Sequence, residues 1–165
     1  MKESREAISA DVIEINVSGS FKTRHDLWVA GGKLGTLQLN AGKSEGVFQG
    51  ADGSVLIFKK TSFWKSSYHF EENGKVRDTA KSQKGLSRGL LVESGAKQYQ
   101  LKPGGGKLRS WQMLDGEEKA ICEIQPRGVF KRGAFLHVFA PVEVRLLVFG
   151  YCLVSRRWQE ESAAA

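Results

Sequence analysis

A short glycine-flanked segment carries the most specific chemical motif in this chain of 165 residues. Gly85-Leu86-Ser87-Arg88-Gly89 matches the Gly-x-Ser-x-Gly elbow of serine hydrolases, and Asp115 and His137 follow in the order that one hydrolase fold uses for its triad. That elbow needs an apolar strand before it and a helix after it. Ser87 instead follows Ala80-Lys81-Ser82-Gln83-Lys84, which is not an apolar strand, and precedes a strand-like apolar run. A turn is therefore favoured, and a serine esterase at Ser87 is kept as an alternative.

A second glycine-rich segment, Pro103-Gly104-Gly105-Gly106-Lys107, invites comparison with a phosphate-binding loop. It lacks the first glycine and the final Ser or Thr of that motif, and strand-like Leu108-Arg109-Ser110-Trp111 follows where a helix is required. The segment therefore predicts a hairpin loop.

The cysteines and histidines do not follow a metal-ligand pattern. Cys122 and Cys152 are far apart and lack Cys-x-x-Cys spacing, so two buried free thiols are expected in a reducing compartment. His25, His69 and His137 are scattered along the chain. No metal site, cofactor or catalytic residue is predicted.

The positive charge is concentrated in the middle of the chain. The formal net charge is +7, and residues 54–109 supply the whole excess because the flanking thirds are close to balanced. Such asymmetry indicates a polyanionic partner, either a membrane surface or nucleic acid, with a basic face that serves only solubility as the alternative. The predicted anionic-ligand site consists of Lys59, Lys60, Lys65, Lys81, Lys84 and Arg88.

The remaining pattern is that of an all-β domain. With 19 glycines and only 3 prolines, the chain favours tight turns, and pairs such as Asp52-Gly53 and Asn73-Gly74 suit two-residue hairpins. Several segments between the turns alternate in polarity, with Ile13, Ile15 and Val17 on one face. Twelve antiparallel strands are predicted near residues 11–17, 24–30, 34–39, 46–49, 54–60, 62–70, 75–80, 88–93, 97–102, 107–114, 118–125 and 134–139.

The last predicted element differs from the strands. Residues 146–154 carry no charge, and Pro141 suits the first turn of a helix. A helix that is apolar on every side must be surrounded by protein. A helix over about 141–158 inside a closed barrel is therefore predicted, since eleven-stranded barrels are known to hold a central helix. A buried strand and a transmembrane helix are the alternatives, although the uncharged run is shorter than the roughly 20 residues that span a bilayer.

This order of elements resembles the tubby C-terminal-like superfamily, which includes the LURP-one-related proteins and phospholipid scramblases. The resemblance rests on short strand pairs with small turns, such as residues 50–58 and 68–76, and on the apolar run 142–154. It covers nearly the whole chain, so residues 1–165 are expected to form one barrel domain of this kind. It implies a non-enzymatic module, because tubby-type domains bind phosphoinositide headgroups. No binding residue of the family aligns with a position here, and none is carried over.

Charge and resemblance together predict a module that binds anionic phospholipid or another polyanion. The charged start of the chain lacks the apolar run of a signal peptide, so a cytoplasmic protein, peripheral at membranes, is expected without a transmembrane segment. Protein interaction and binding of a small apolar ligand are alternatives. Single-stranded nucleic acid is another, with bases stacking on Trp28, Trp64, Trp111 and Trp158. The sequence does not indicate an oligomeric state.

Overall fold

Most of the chain folds into a closed antiparallel barrel around one helix. The computed structural model describes residues 7–8, 11–30, 32–40, 42–62, 67–82, 88–104, 109–128 and 131–164. The elements are β1 (Ala7–Ile8), β2 (Val12–Ser18), β3 (Lys22–Val29), β4 (Gly32–Asn40), β5 (Glu45–Gly50), β6 (Val55–Ser62), β7 (Ser67–Glu72), β8 (Lys75–Ser82), β9 (Leu90–Ser94), β10 (Lys97–Pro103), β11 (Trp111–Leu114), β12 (Ala120–Pro126), β13 (Gly133–Val138), β14 (Val142–Glu143) and α1 (Val144–Ala164).

The twelve predicted barrel strands are confirmed as β2 to β13. Each strand pairs with the next one in the chain, and β13 closes the barrel by pairing with β2, where Ala134 lies opposite Ile15. Because all pairs are antiparallel, successive connections alternate between the two ends of the barrel. The connections β2–β3, β4–β5, β6–β7, β8–β9, β10–β11 and β12–β13 therefore share one end.

The helix fills the inside of the barrel, as the uncharged run predicts. Leu147, Val148 and Phe149 are at most 1% exposed, and the Phe149 ring stacks on that of Phe70 with centroids 5.3 Å apart. A Cβ on Gly150 would lie 2.7 Å from Cε of Met113, so the helix approaches the wall closely at this glycine. No helix within the described residues has the length and apolar character needed to cross a membrane.

The predicted helix bounds of 141–158 are wrong at both ends. Pro141 lies before α1, because Val142 and Glu143 pair as β14 with β1 and leave the helix to begin at Val144. At the other end α1 continues to Ala164. Glu160 stabilises this extension through ion pairs, with its carboxylate 3.5 Å from Nε of Arg156 and 3.2 Å from a guanidinium nitrogen of Arg157.

A buried ion pair fixes the start of α1 to the barrel wall. Nε of Arg145 donates to Asp78 on β8 at 2.9 Å, and a second guanidinium nitrogen lies 3.2 Å from Oγ of Ser94 on β9. Burial alone disfavours the charged guanidinium, but the hydrogen bond and charge of Asp78 outweigh it and raise the pKa of Arg145. The helix therefore enters the barrel with its first turn held by charge.

The two cysteines are free and buried, as predicted. Cys122 is on β12 and Cys152 is on α1. Burial raises the pKa of Cys122 to about 12 and also raises that of Cys152. Both thiols therefore stay protonated and poorly reactive near neutral pH.

Candidate functional site

The strand topology sorts charged residues between the two ends of the barrel. We call the end where α1 finishes the basic end. Its described cations are Lys22, Arg24, Lys43, Lys60, Lys81, Arg88, Lys102, Arg109, Arg127, Lys131, Arg132, Arg156 and Arg157, and its described carboxylates are Glu45, Glu160 and Glu161, together with Asp26 and Glu14, which form ion pairs with Arg24 and Arg127. At the opposite end, called the acidic end, carboxylates outnumber cations. The described carboxylates at the acidic end are Asp11, Asp52, Glu71, Glu72, Glu93, Asp115, Glu117, Glu118 and Glu143.

This distribution differs from the charge pattern along the chain. The sequence places the positive excess in residues 54–109, yet cations from both flanking thirds reach the same end of the barrel. Lys22 opens β3, and Lys131 lies in the connection before β13. Because alternate connections meet at one end, residues distant in sequence become neighbours in space.

The predicted binding residues are only partly brought together. Lys60 and Lys81 lie at the rim of the basic end, on β6 and β8, separated by β7. Lys59 lies on the outer wall, where its Nζ is 3.5 Å from a carboxylate oxygen of Glu71. Lys65 and Lys84 fall outside the described residues.

Arg88, the sixth predicted residue, is engaged within the protein. Its guanidinium forms an ion pair with Glu161 on the last turns of α1 and lies 5.8 Å from the ring centroid of Trp111. Nε of Arg109 lies 4.0 Å from the same carboxylate. Arg88 therefore helps to hold the end of the helix against the barrel.

An open recess lies across the rim from Lys60 and Lys81, between α1 and strands β2, β3 and β13. Its volume is about 310 Å³. The lining residues combine arginine, hydroxyl and aromatic side chains, and they are Val17, Thr23, His25, Arg109, Arg132, Gly133, Tyr151, Ser155, Trp158, Gln159 and Ser162. No sequence motif indicated this group, since its members come from five separate parts of the chain.

A neutral hydrogen-bonded network forms the floor of the recess. His25 is 3% exposed; its Nδ1 lies 2.7 Å from the hydroxyl of Tyr151 and its Nε2 lies 2.7 Å from Oγ1 of Thr23. Burial, followed by the positive charge of Arg132, lowers the pKa of His25 to about 4 against the opposing effect of Asp26. Burial also raises the pKa of Tyr151. Both groups are uncharged near neutral pH.

The positive charge of the recess comes from two arginines. Arg132 is exposed and donates one hydrogen bond of 2.6 Å to the carbonyl oxygen of Gly19. Arg109 packs 5.7 Å from the ring centroid of Trp158, and the indole N–H donates to the Arg109 carbonyl at 2.8 Å. A guanidinium has five N–H donors, so both arginines keep donors that could bind a phosphate or carboxylate.

The hydrolase and metal alternatives gain no support from the described residues. Asp115 is in the turn after β11 at the acidic end, whereas Arg88, which follows Ser87 in sequence, is at the basic end. Ser87 itself lies outside the described residues. In the described part of the chain, no group of three or more His, Cys, Asp or Glu side chains could hold a metal ion.

The described tryptophans do not form one stacking surface. Trp111 is 1% exposed and Trp158 is 9% exposed, so both are mainly packing residues. Trp28 is exposed on the outer wall beneath Nζ of Lys33. Trp64 lies outside the described residues.

These features define a class: a closed twelve-stranded antiparallel barrel around a hydrophobic C-terminal helix, with a recess at its basic end. A protein of this fold is known from Arabidopsis thaliana. The X-ray structure of that protein, AT5G01750, is similar with a TM-score of 0.60 and 13% sequence identity, over 89% of this chain and 91% of that chain. This likeness shows a shared fold. No protein-family model matches the sequence, and no curated protein matches it significantly.

Proposed function

We propose that this protein is a non-enzymatic module that binds phosphoinositide headgroups, or another polyanion with the same phosphate chemistry, at its basic end. The observation that carries the proposal is the gathering of cations from the whole chain at one end of the barrel, where a recess has Arg109 and Arg132 in its wall. We also propose that it is a cytoplasmic protein of the tubby C-terminal-like superfamily. The superfamily assignment is supported by the order of its elements, twelve barrel strands followed by one apolar helix, which resembles that superfamily.

The size of the barrel makes the charge polarity effective. A helix of 21 residues spans roughly 30 Å, which is several times the screening length of about 8 Å at physiological ionic strength. An anionic surface in contact with the basic end is therefore screened from the carboxylates at the acidic end. Basic residues close to such a surface contribute about 1 kcal/mol each. The local charge of the basic end, and not the net charge of the protein, should therefore determine binding to an anionic surface.

The proposal competes with two other uses of the molecule. Binding of a small apolar ligand inside the barrel is disfavoured, since Leu147 and Phe149 of α1 occupy the interior. A protein-binding role has one supporting observation. Val12 and Trp28 are exposed beside a recess of about 450 Å³ on the outer wall.

Charge-matched variants test whether the basic end is the binding surface. Lys22→Glu with Lys131→Glu changes the basic end, and Lys75→Glu with Lys119→Glu changes the acidic end by the same net charge; all four lysines are exposed. In co-sedimentation with phosphatidylcholine vesicles containing phosphatidylinositol bisphosphate, we expect the first pair to weaken binding more than about tenfold. The second pair should stay within about twofold of the unsubstituted protein.

Further variants distinguish headgroup binding at the recess from binding elsewhere on the rim, and further ligands distinguish lipid from other partners. Lys60→Glu with Lys81→Glu changes the opposite side of the rim, and a smaller loss than that of the Lys22 and Lys131 pair would locate the headgroup at the recess. Equal binding of the unsubstituted protein to neutral vesicles, or an equal loss in the acidic-end pair, would contradict the proposal. Tighter and salt-sensitive binding to an oligonucleotide would favour nucleic acid instead. Trp28→Ala should leave vesicle binding unchanged. A loss of binding in this variant would indicate that the outer wall is the functional surface.

A further inference from the structure

Phe21 is the most exposed large apolar side chain in the described part of the protein. It is 89% exposed, on the turn between β2 and β3 at the basic end. A single exposed apolar residue is ordinary on a protein surface. The position of Phe21 is more informative, because Lys22 follows it and the exposed Lys131 and Arg132 belong to the neighbouring connection.

The turn that carries Phe21 is held against the wall of the recess. Gly19 has a φ of +87°, and a Cβ at this position would lie 2.4 Å from the carbonyl oxygen of Lys22. Only glycine therefore fits this turn. The carbonyl of Gly19 also accepts the hydrogen bond from Arg132. The phenyl ring thus projects from a fixed turn beside the arginine that could hold an anion.

The connections at the two ends of the barrel differ in composition. Four of those at the acidic end are polar tight turns, Asp52-Gly53, Asn73-Gly74, Ser94-Gly95 and Asp115-Gly116, whereas the connection after β13 carries the half-exposed Phe139. Among the described connections of the basic end, the β2–β3 turn places the exposed Phe21 directly before the exposed Lys22.

We infer that the basic end docks directly on an anionic membrane, with Phe21 inserted among the lipid headgroups and the barrel axis steeply inclined to the bilayer plane. The inference rests on the proposed function and specifies its partner as a lipid surface. A membrane surface is negatively charged outside and apolar a few ångströms deeper, which suits cations that surround an apolar side chain. A free phosphorylated molecule would satisfy the arginines and leave Phe21 in water.

A fluorescent label can report the depth of position 21. Phe21→Cys and, at the acidic end, Phe139→Cys each add one accessible thiol, since Phe139 is 53% exposed and both native thiols are buried. Each variant is labelled with nitrobenzoxadiazole and mixed with phosphatidylcholine vesicles that contain phosphatidylserine and phosphatidylinositol bisphosphate. We expect a blue shift and a gain in emission for the label at position 21, and no change for the label at position 139.

Serine substitutions measure the contribution of the ring. Phe21→Ser should weaken binding to these vesicles about tenfold, because the inserted phenyl surface is lost. It should leave the binding of soluble inositol hexakisphosphate unchanged, and Phe139→Ser should change neither. Circular dichroism should be the same for all variants, since both side chains are exposed.

The outcomes separate this inference from the proposed function. If the label at position 21 stays in water and Phe21→Ser binds vesicles as tightly as the unsubstituted protein, insertion is wrong and headgroup binding stands. If the unsubstituted protein fails to bind anionic vesicles, the proposed function falls as well. If Phe21→Ser weakens oligonucleotide binding and vesicle binding is absent, the ring stacks on bases and the membrane inference is overturned.

Discussion

At the scale of single residues, His25 links strand β3 at the floor of the recess to the helix α1. A charged imidazole would be unfavourable here, because the ring is buried and lies near Arg132. The neutral ring can donate one hydrogen bond and accept another, and Thr23 and Tyr151 lie within hydrogen-bond distance of its two nitrogens. His25 therefore joins β3 to α1 without adding charge beneath a site that is already strongly basic.

This environment predicts how stability should depend on pH. The pKa of His25 is about 4 in the folded protein, below the ordinary histidine value of 6.5, so the unfolded chain binds an extra proton between these values. The contribution of His25 is complete above about pH 6.5 and is lost as the pH falls toward 4. We expect the free energy of unfolding to fall by about 3 kcal/mol more in the unsubstituted protein than in His25→Gln over this range.

Urea unfolding of the two proteins at intervals between pH 4 and pH 7 measures this difference. The substitution changes stability at all pH values, so the slopes are compared and not the absolute free energies. Parallel slopes would show that the imidazole titrates normally in the folded state, and the description of His25 as a buried neutral link would be wrong.

The roles of individual residues were the feature of the site that the sequence predicted least well. Arg88 looked like a free cation, but its partner Glu161 is distant in the chain and meets it only because α1 finishes at the basic end. His25 belongs to no motif, since its partners come from β3 and from the helix. Phe21 left a readable signal, because an aromatic residue directly after Ser18-Gly19-Ser20 and before Lys22 is unusual for a solvated hairpin turn.

At the scale of elements, α1 is held to the barrel at both ends by charge. Its first turn is fixed by Arg145 and Asp78, and its last turns are fixed by Glu161 with Arg88 and Arg109. Between these ends most contacts are apolar, apart from the hydrogen bonds of Tyr151 with His25 and of Trp158 with the Arg109 carbonyl. Apolar contacts favour burial of the helix without fixing its position along the barrel, so the ion pairs are suited to set that position.

Removal of Asp78 tests the role of the buried pair. The side chains of Asp78 and Arg145 are 0% and 6% exposed, so Asp78→Ala would leave a guanidinium inside the barrel wall without its main partner. We expect a loss of about 3–5 kcal/mol in the free energy of unfolding, measured in denaturant. Replacing both residues with apolar ones, as in Asp78→Leu with Arg145→Met, should recover most of the loss.

Two outcomes would contradict this assignment. A loss below about 1 kcal/mol in Asp78→Ala would mean that Glu143 or solvent satisfies the guanidinium. A double variant that is no more stable than Asp78→Ala would mean that the carboxylate acts through its other neighbours. The pair of Lys59 with Glu71 on the outer wall, whose side chains are 44% and 20% exposed, is the control, and Lys59→Ala should change stability by about 0.5 kcal/mol or less.

The elements themselves were readable from sequence, but their ends were not. Alternation in segments such as Ile13, Ile15 and Val17 predicts strands because successive side chains face opposite sides of a sheet. The uncharged run predicts a buried helix because it leaves no polar face for water. The helix starts late because β1 captures Val142 and Glu143, a tertiary contact that no local pattern shows.

At the scale of the whole molecule, the barrel converts a scattered set of cations into one charged surface. The charge profile along the chain marks only the middle third, because that profile follows residue number and not position in the barrel. An up-and-down barrel folds the chain so that every second connection lies at the same end. The strand order therefore indicates which cations gather at one end of the barrel, and the charge count along the sequence does not.

Concentrated charge of one sign should destabilise the fold that carries it. Cations at the basic end repel one another, so Lys22→Glu with Lys131→Glu should raise the melting temperature by about 2 °C at low ionic strength while it weakens vesicle binding. Lys75→Glu with Lys119→Glu adds charge beside carboxylates of the acidic end and should lower the melting temperature. Both shifts should shrink at high salt, when screening shortens the range of repulsion. Differential scanning calorimetry across a salt series distinguishes this trade-off from an effect of net charge. An effect of net charge would shift the melting temperatures of both double variants in the same direction.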